Sequence, residues 1–95
     1  MPEMRFHVRW PDESIEACYS PSLVIKDHLA VGTTYPLADF KARSRMALTI
    51  AAERVREKYG FFCTRALGQL ARIEETAGRF EAMPGASVTI VSFEE

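Results

Sequence analysis

The stretch PLADFKARSRMALTIAAERVREKYG, residues 36–60, is the longest segment of the chain that keeps one helical period. Pro36 stands where a first helical residue is expected, and Gly60 stands just past the predicted end. Between them apolar residues recur at helical spacing and form one stripe. Its members are Leu37, Phe40, Ala47, Leu48, Ala51, Val55 and Tyr59. The pattern predicts a long helix with one buried face.

A second helical stripe follows, from Thr64 to about Phe80. Its apolar members recur at steps of four, three, four and three, which is typical of an amphipathic helix. They are Ala66, Leu70, Ile73, Ala77 and Phe80. Because only residues 61–63 connect the two helices, we expect them to be antiparallel neighbours.

The N-terminal part of the chain has the pattern of a β-hairpin. Residues 3–10 alternate apolar and polar side chains, which is the period of a strand with one buried face. Residues 11–14 have turn chemistry, and residues 15–19 resume the alternation. A four-residue turn would place Trp10 opposite Ile15, and apolar residues would then face apolar residues along both strands.

This register places His7 beside Cys18 on the polar face of the hairpin. A thiol within hydrogen-bond reach of an imidazole can ionise to the nucleophilic thiolate, and Arg5 and Arg9 would favour an anion there. His7 and Cys18 are therefore the candidate catalytic residues, and Arg5 and Arg9 are the candidate binding residues. The alternative interpretation is a partly solvated surface or an interface, which is more common for a strand face with one His and one Cys.

The segment between the hairpin and the long helix leaves two interpretations open. Residues 22–29 predict either a short helix or a third strand, because their adjacent aliphatic side chains have no clear period. Ser20 followed by Pro21 resembles a helix start, which favours the helix. Residues 31–35 are predicted to be a loop.

Residues 86–93 predict a closing strand with apolar side chains on both faces. Val88 and Ile90 have one parity, whereas Val91 and Phe93 have the other. A small domain has few helices with which to cover two apolar sheet faces, so a second subunit could supply the cover. We therefore expect a homodimer, with the helices wrapping further around the sheet as the equal alternative.

These elements predict a single α+β domain built as a two-layer sandwich. Its antiparallel sheet has three, possibly four, strands and carries two long helices on one face. The predicted order along the chain is strand, strand, optional short helix, long helix, long helix, strand. A length of 95 residues and a hydrophobic content of 47% suit one packed domain and argue against disorder.

Composition excludes several classes of partner. A formal net charge of -1 provides no field that would attract nucleic acid or an anionic membrane, so we expect neither as a partner. No segment approaches the roughly 18 apolar residues that a membrane span requires, and no export signal is recognisable, so we expect a cytoplasmic protein. The 2 cysteines lack CxxC spacing, and we expect no metal site and no cofactor.

Arginine recurs every seven residues along the second helix, at Arg65, Arg72 and Arg79. Such a row can follow phosphate groups. Here Glu74, Glu75 and Glu81 are interleaved with the arginines, which favours a solvated helix face.

Five segments that span nearly the whole chain carry a family resemblance. They are MPEMRFHVRWPD, ACYSPS, GTTYPLADF, ALTIAAERVREKYGF and CTRALGQLARIE. They resemble a small bacterial family of nitrogen-starvation-response proteins, although Glu13 and Ser14 stand where a glycine-containing turn is expected. The family has no catalytic signature, so no functional residue carries over.

The resemblance implies a context for the protein. Members of this family are typically encoded beside a nitrilase, in clusters linked to nitrogen and cyanide assimilation. We therefore expect a small cytoplasmic accessory or interaction protein whose partners are proteins of the nitrilase-linked pathway. The alternative is a small enzyme or ligand-binding protein that uses His7 and Cys18 with the flanking arginines.

Overall fold

The computed structural model describes residues 2–95, which form four strands and three helices. In chain order these are β1 (Met4–Arg9), β2 (Ile15–Ser20), α1 (Ile25–His28), β3 (Thr34–Pro36), α2 (Leu37–Tyr59), α3 (Thr64–Gly78) and β4 (Ser87–Glu94). The strands form one antiparallel sheet in the order β2-β1-β4-β3. The first and last strands are therefore neighbours at its centre. The predicted α+β architecture is confirmed.

The long helix α2 has the predicted start and stop signals. Pro36 has φ -53° and ψ 146°, so it immediately precedes the helix and is not its first residue. Gly60 has a φ of 82°, the left-handed conformation that commonly ends a helix, and its N–H donates to the Arg56 carbonyl at 2.7 Å. The predicted apolar stripe is one residue too long, because the side chain of Tyr59 is 52% exposed.

Helices α2 and α3 lie side by side and cover one face of the sheet. Lys41 contacts Glu81 at 2.9 Å and Arg45 contacts Glu74 at 3.0 Å, which shows that the two helices run in opposite directions. The core between helices and sheet contains large side chains with no solvent exposure. They are Phe6, Val8, Ile25, Phe40, Leu48, Ile73, Val88 and Ile90. Across residues 2–95 none of the helices has the length and apolar character needed to cross a bilayer.

The β1–β2 hairpin turns through three residues, so the predicted four-residue turn is wrong. Trp10 N–H donates to the Ser14 carbonyl at 2.8 Å, and Glu13 N–H donates to the Trp10 carbonyl at 2.8 Å. Glu13 has a φ of 70°, the left-handed conformation that ends a three-residue hairpin loop. The strands are therefore paired one residue away from the predicted register, with Phe6 opposite Cys18.

A slip of one residue moves every side chain of β2 to the other face of the sheet. Cys18 and Ser20 are consequently buried beneath the helices, whereas Ile15 is 56% exposed on the opposite face. The buried Ser20 hydroxyl is satisfied locally, because it donates to the Ser22 carbonyl at 2.7 Å. The predicted register was the one that paired apolar side chains across the two strands. The backbone conformation of the turn determines the register instead.

A β-bulge changes the expected character of β4. The pairing of β1 with β4 shifts between His7 and Val8, where β4 has one extra residue, Val91. The extra residue reverses the alternation of faces, so Phe93 joins Ile90 on the face that the helices cover. The prediction that Phe93 lies on the opposite face from Val88 and Ile90 is therefore wrong. Phe93 packs against the core, so the strand has less surplus apolar surface for a second subunit to cover than the sequence predicted.

The fourth strand comes from a segment that was predicted to be a loop. Ile25–His28 is helical, as the favoured interpretation of residues 22–29 had it, and Thr34–Pro36 pairs with β4. Gly32 N–H donates to the Ile90 carbonyl at 2.8 Å, and Ile90 N–H donates to the Thr33 carbonyl at 3.0 Å. These bonds to a distant strand determine the conformation of this segment.

Candidate functional site

His7 and Cys18, the predicted catalytic pair, lie on opposite faces of the sheet. Cys18 stands opposite Phe6 under the helices and has no solvent exposure. His7 stands opposite Ala17 on the face that the helices leave open. The predicted contact between imidazole and thiol is wrong, because it depended on the four-residue turn.

The environment of Cys18 disfavours the thiolate. Burial raises the pKa of the Cys18 thiol well above its ordinary value, and the nearby Glu16 carboxylate raises it further. Arg72 acts in the opposite direction and is the weakest of the three influences. The thiolate is the nucleophilic form, and the buried Cys18 thiol stays protonated at neutral pH. Cys18 therefore serves as a core side chain and not as a nucleophile.

The open face of the sheet, called the outer face below, keeps three of the four predicted residues together. Arg5, His7 and Arg9 alternate with the buried side chains of β1. His7 Nε2 lies 3.2 Å from Glu94 Oε2, and Glu94 stands opposite Arg5 in the register. By strand parity the outer face contains Arg5, His7, Arg9, Ile15, Ala17, Tyr19, Thr34, Pro36, Ser87, Thr89, Ser92 and Glu94.

A groove of about 630 Å³ lies between the first turns of α2 and residues 80–86. Its apolar lining includes Leu37, Ala38, Ala42, Phe80, Met83 and Ala86. The charged side chains at its edge are already paired, Lys41 with Glu81 and Arg45 with Glu74. These pairs leave the groove without an evident polar group for orienting a ligand.

A smaller cleft, called the α3–β2 cleft below, lies between helix α3 and the edge strand β2. It has a volume of about 330 Å³ and is lined by Tyr19, Arg65, Gly68, Gln69 and Arg72. Gln69 is only 8% exposed, and its Oε1 accepts a hydrogen bond from Tyr19 N–H at 3.0 Å. Its Nε2 is buried and finds no hydrogen-bond partner within residues 2–95.

The two arginines of this cleft have no close carboxylate. Arg65 lies 3.9 Å from Glu3 and Arg72 lies 3.8 Å from Glu16. Every other ion pair among the described residues is shorter, between 2.8 and 3.5 Å. Arg65 also stacks on Tyr19, with its guanidinium carbon 3.9 Å from the ring centroid.

Gln69 was not among the predicted site residues, although the sequence contains a signal for it. It follows Ala66 by three residues and precedes Ile73 by four, so it lies on the predicted buried face of the helix. A polar side chain within an apolar stripe needs a partner. The partner, Tyr19 N–H, belongs to a distant strand and is not visible in the local sequence.

Within residues 2–95 no group of three or more His, Cys, Asp or Glu side chains is placed to hold a metal ion. A protein-family model described as nitrogen starvation-induced protein NitG matches residues 5–93. The matched region extends from β1 into β4 and so includes the α3–β2 cleft and the outer face except for Glu94. No curated protein and no solved structure shows a significant match to the chain.

Proposed function

The chain belongs to the NitG family of nitrogen starvation-induced proteins, and we propose that it is an accessory protein of that response that acts by protein–protein contact. The outer face of the sheet carries the proposal, because helices α2 and α3 cover only the opposite face. The first partner on this face is a second copy of the chain, so the working form is a homodimer.

The charges of the outer face favour a second copy as the occupant. Arg5 and Glu94 stand side by side in the register, on the two central strands. A twofold axis parallel to the strands, between β1 and β4, would lay β1 of one copy over β4 of the other. Arg5 would then face the partner's Glu94, and Glu94 would face the partner's Arg5. An axis across the strands would instead bring Arg5 towards the partner's Arg9, which like charges oppose.

Neutral and apolar side chains accompany these charges. Ile15 is 56% exposed on β2, and Ala17 beside it is also exposed. On the same face, towards the opposite edge of the sheet, Thr34 and Thr89 hydrogen-bond each other through their hydroxyl oxygens at 2.8 Å, so these two hydroxyl groups already have a partner. The face is thus a mixed surface of the kind found in non-obligate interfaces.

The dimer is tested by exchanging the two charges. Sedimentation velocity at tens of micromolar should show a dimer for the natural sequence and monomers for Arg5→Glu and for Glu94→Arg. An equimolar mixture of the two variants should regain the dimer, because each contact between the copies again joins opposite charges. Arg79→Glu, an exposed substitution at the residue that follows α3, is the control and should leave the dimer intact.

Two outcomes of this experiment would contradict the dimer. One is a monomeric natural protein at the same concentration. The other is a mixture that sediments no differently from the separate variants, which would mean that the charges act only within one chain.

The proposed setting is the bacterial cytoplasm, and the proposed partners beyond the second copy are proteins of a nitrilase-linked pathway. The support for this setting is the resemblance described above together with membership of the starvation-induced family. A strain that lacks the gene should grow poorly on a nitrile as sole nitrogen source. The natural gene should restore growth, and the Arg5→Glu gene should not. Normal growth of the deletion strain on the nitrile would remove the link to nitrilase.

A further inference from the structure

The carboxamide of Gln69 is a fixed hydrogen-bond donor at the α3–β2 cleft. Because its Oε1 accepts the Tyr19 N–H at 3.0 Å, the other end of the amide must be the NH₂ group. This Nε2 is buried and has no acceptor within the described residues. Buried donors in native proteins nearly always have an acceptor, so each exception calls for an explanation. A ligand oxygen would provide the missing acceptor after a small movement of the enclosed NH₂ group into the cleft, which Gln69 lines.

One arginine lies on each side of this donor along helix α3. Arg65 precedes Gln69 by four residues and Arg72 follows it by three, so all three side chains share one face of α3. Neither arginine has a carboxylate closer than 3.8 Å, so both guanidinium groups keep donors available for a ligand. Arginine binds carboxylates through two parallel hydrogen bonds.

The spacing of the arginines indicates an anion with two separated charges. Seven helical residues correspond to a rise of about 10 Å, so the two long side chains reach the cleft from opposite ends. A molecule with a carboxylate at each end could contact both arginines.

We propose that the α3–β2 cleft binds a small organic dicarboxylate. One carboxylate lies at Arg65 and the other at Arg72, and Gln69 Nε2 donates to a carboxylate oxygen. The cleft volume of about 330 Å³ is at the lower end of the range of small-molecule sites. The Tyr19 ring holds the Arg65 guanidinium by stacking, at 3.9 Å from the ring centroid. Glu3 and Glu16, the nearest carboxylates of the chain, compete with the ligand for the two arginines.

The site is tested by titrating the natural protein with glutarate and following its ¹⁵N-labelled side-chain amides by NMR. The Gln69 NH₂ signals should move in a saturable manner, because Nε2 gains an acceptor. Three comparison compounds define the ligand class: butyrate has one carboxylate, glutaramide has the same length without charge, and inorganic phosphate is a compact oxyanion. Glutarate should bind at least about tenfold more tightly than each of them. Equal binding of phosphate would overturn the assignment to dicarboxylates.

Substitutions then test the named residues. Arg65→Gln and Arg72→Gln should each weaken glutarate binding by about tenfold, and Gln69→Glu should abolish it while keeping an acceptor for Tyr19 N–H. Arg79→Gln, at the exposed arginine that follows the last residue of α3, is the matched control and should bind like the natural protein. Glu16→Gln should bind more tightly, because it removes a competing charge.

The proposal fails if glutarate produces no saturable change in the Gln69 signals. It fails equally if Arg72→Gln binds glutarate as tightly as the Arg79→Gln control. Both arginines are exposed, at 61% for Arg65 and 72% for Arg72, so these substitutions leave folding intact and their results can be interpreted.

Discussion

Trp10 and Phe40 meet edge to face, with 5.5 Å between their ring centroids and 85° between their planes. The contact joins the end of β1 to the first turns of α2, and so connects the sheet to the helix layer. Phe80 stacks on the same indole, with 6.1 Å between the ring centroids and 21° between the planes. Trp10 Nε1 donates to Glu16 Oε1 at 3.0 Å, which satisfies the polar atom of this aromatic cluster.

Phe40→Ala should lower the free energy of unfolding by about 3 to 5 kcal/mol, because it empties a site with no solvent exposure at this junction. Urea unfolding followed by far-UV circular dichroism measures the change. Leu67→Ala is the control, since Leu67 is 42% exposed, and it should cost less than about 1 kcal/mol. Equal costs for the two substitutions would contradict the assignment of Phe40 to the core.

Glu13→Gly should raise the free energy of unfolding by roughly 1 kcal/mol. Glu13 has a φ of 70°, a conformation that costs residues with a Cβ and that glycine adopts freely. The shift of the urea midpoint measures the gain. Glu13→Ala keeps the Cβ and should give no gain, so stabilisation by both substitutions would show that backbone conformation is not the cause.

Stability should fall at alkaline pH because of Cys18. Burial raises the pKa of this thiol above its unfolded value of 9.0, so the folded protein keeps a proton that the unfolded chain releases. The contribution of Cys18 to the free energy of unfolding is complete below pH 9.0. It is lost as the pH rises above that value, at up to about 1.4 kcal/mol per pH unit. Urea unfolding at a series of pH values from 8 to 10 measures the slope.

The comparison with Cys18→Ala isolates the thiol from other groups. The pKa of Tyr19 is also raised, first by burial and then by Glu3, so it contributes a slope of the same sign at higher pH. The Cys18→Ala protein should start less stable and show a flatter dependence on pH. Identical slopes for the two proteins would show that Cys18 is not responsible.

Deletion of Val91 should preserve the fold at a cost of roughly 1 kcal/mol. Val91 is the extra residue of the β4 bulge, so without it Ile90 and Phe93 keep their places on the covered face. Deletion of Val88 is the control, because it puts either Ser87 or Thr89 into the fully buried position that Val88 occupies. Thermal unfolding and the dispersion of the amide NMR spectrum should show a folded protein for the first deletion and an unfolded one for the second.

The helices could be predicted because their signals are local. Pro36 and Gly60 mark the limits of α2 within two residues, and the stripe from Ala66 to Ala77 correctly identifies the buried face of α3. Backbone conformation and side-chain periodicity lie in the same short segment in each case. No partner elsewhere in the chain is needed to decide them.

The sheet was predicted less well, because single backbone residues decide its details. Glu13 in a left-handed conformation shortens the hairpin loop, and Val91 in a bulge reverses the faces of β4. Neither residue has a sequence signal for its role, since glycine would be the usual choice at the first position. The His7 and Cys18 hypothesis depended on the first of these details. β3 has only three residues and takes its conformation from β4.

The candidate cleft was partly visible in the sequence. The recurrence of Arg65 and Arg72 was evident, but interleaved glutamates favoured a solvated face. The structure adds that Glu3 and Glu16 approach the arginines only to 3.9 and 3.8 Å, and that Gln69 lies between them with an unpaired donor. These are relations between distant parts of the chain, which periodicity does not report.

The central pairing of β1 with β4 has a consequence for biosynthesis. Arg5 pairs with Glu94, so the middle of the sheet joins residues from opposite ends of the described chain. During translation the hairpin and both long helices are synthesised before β4. Until Ser87–Glu94 is made, β1 has an open edge and β3 has no neighbour. The central strand pair can therefore form only after β4 has left the ribosome, and until then the open edge of β1 can pair with other chains.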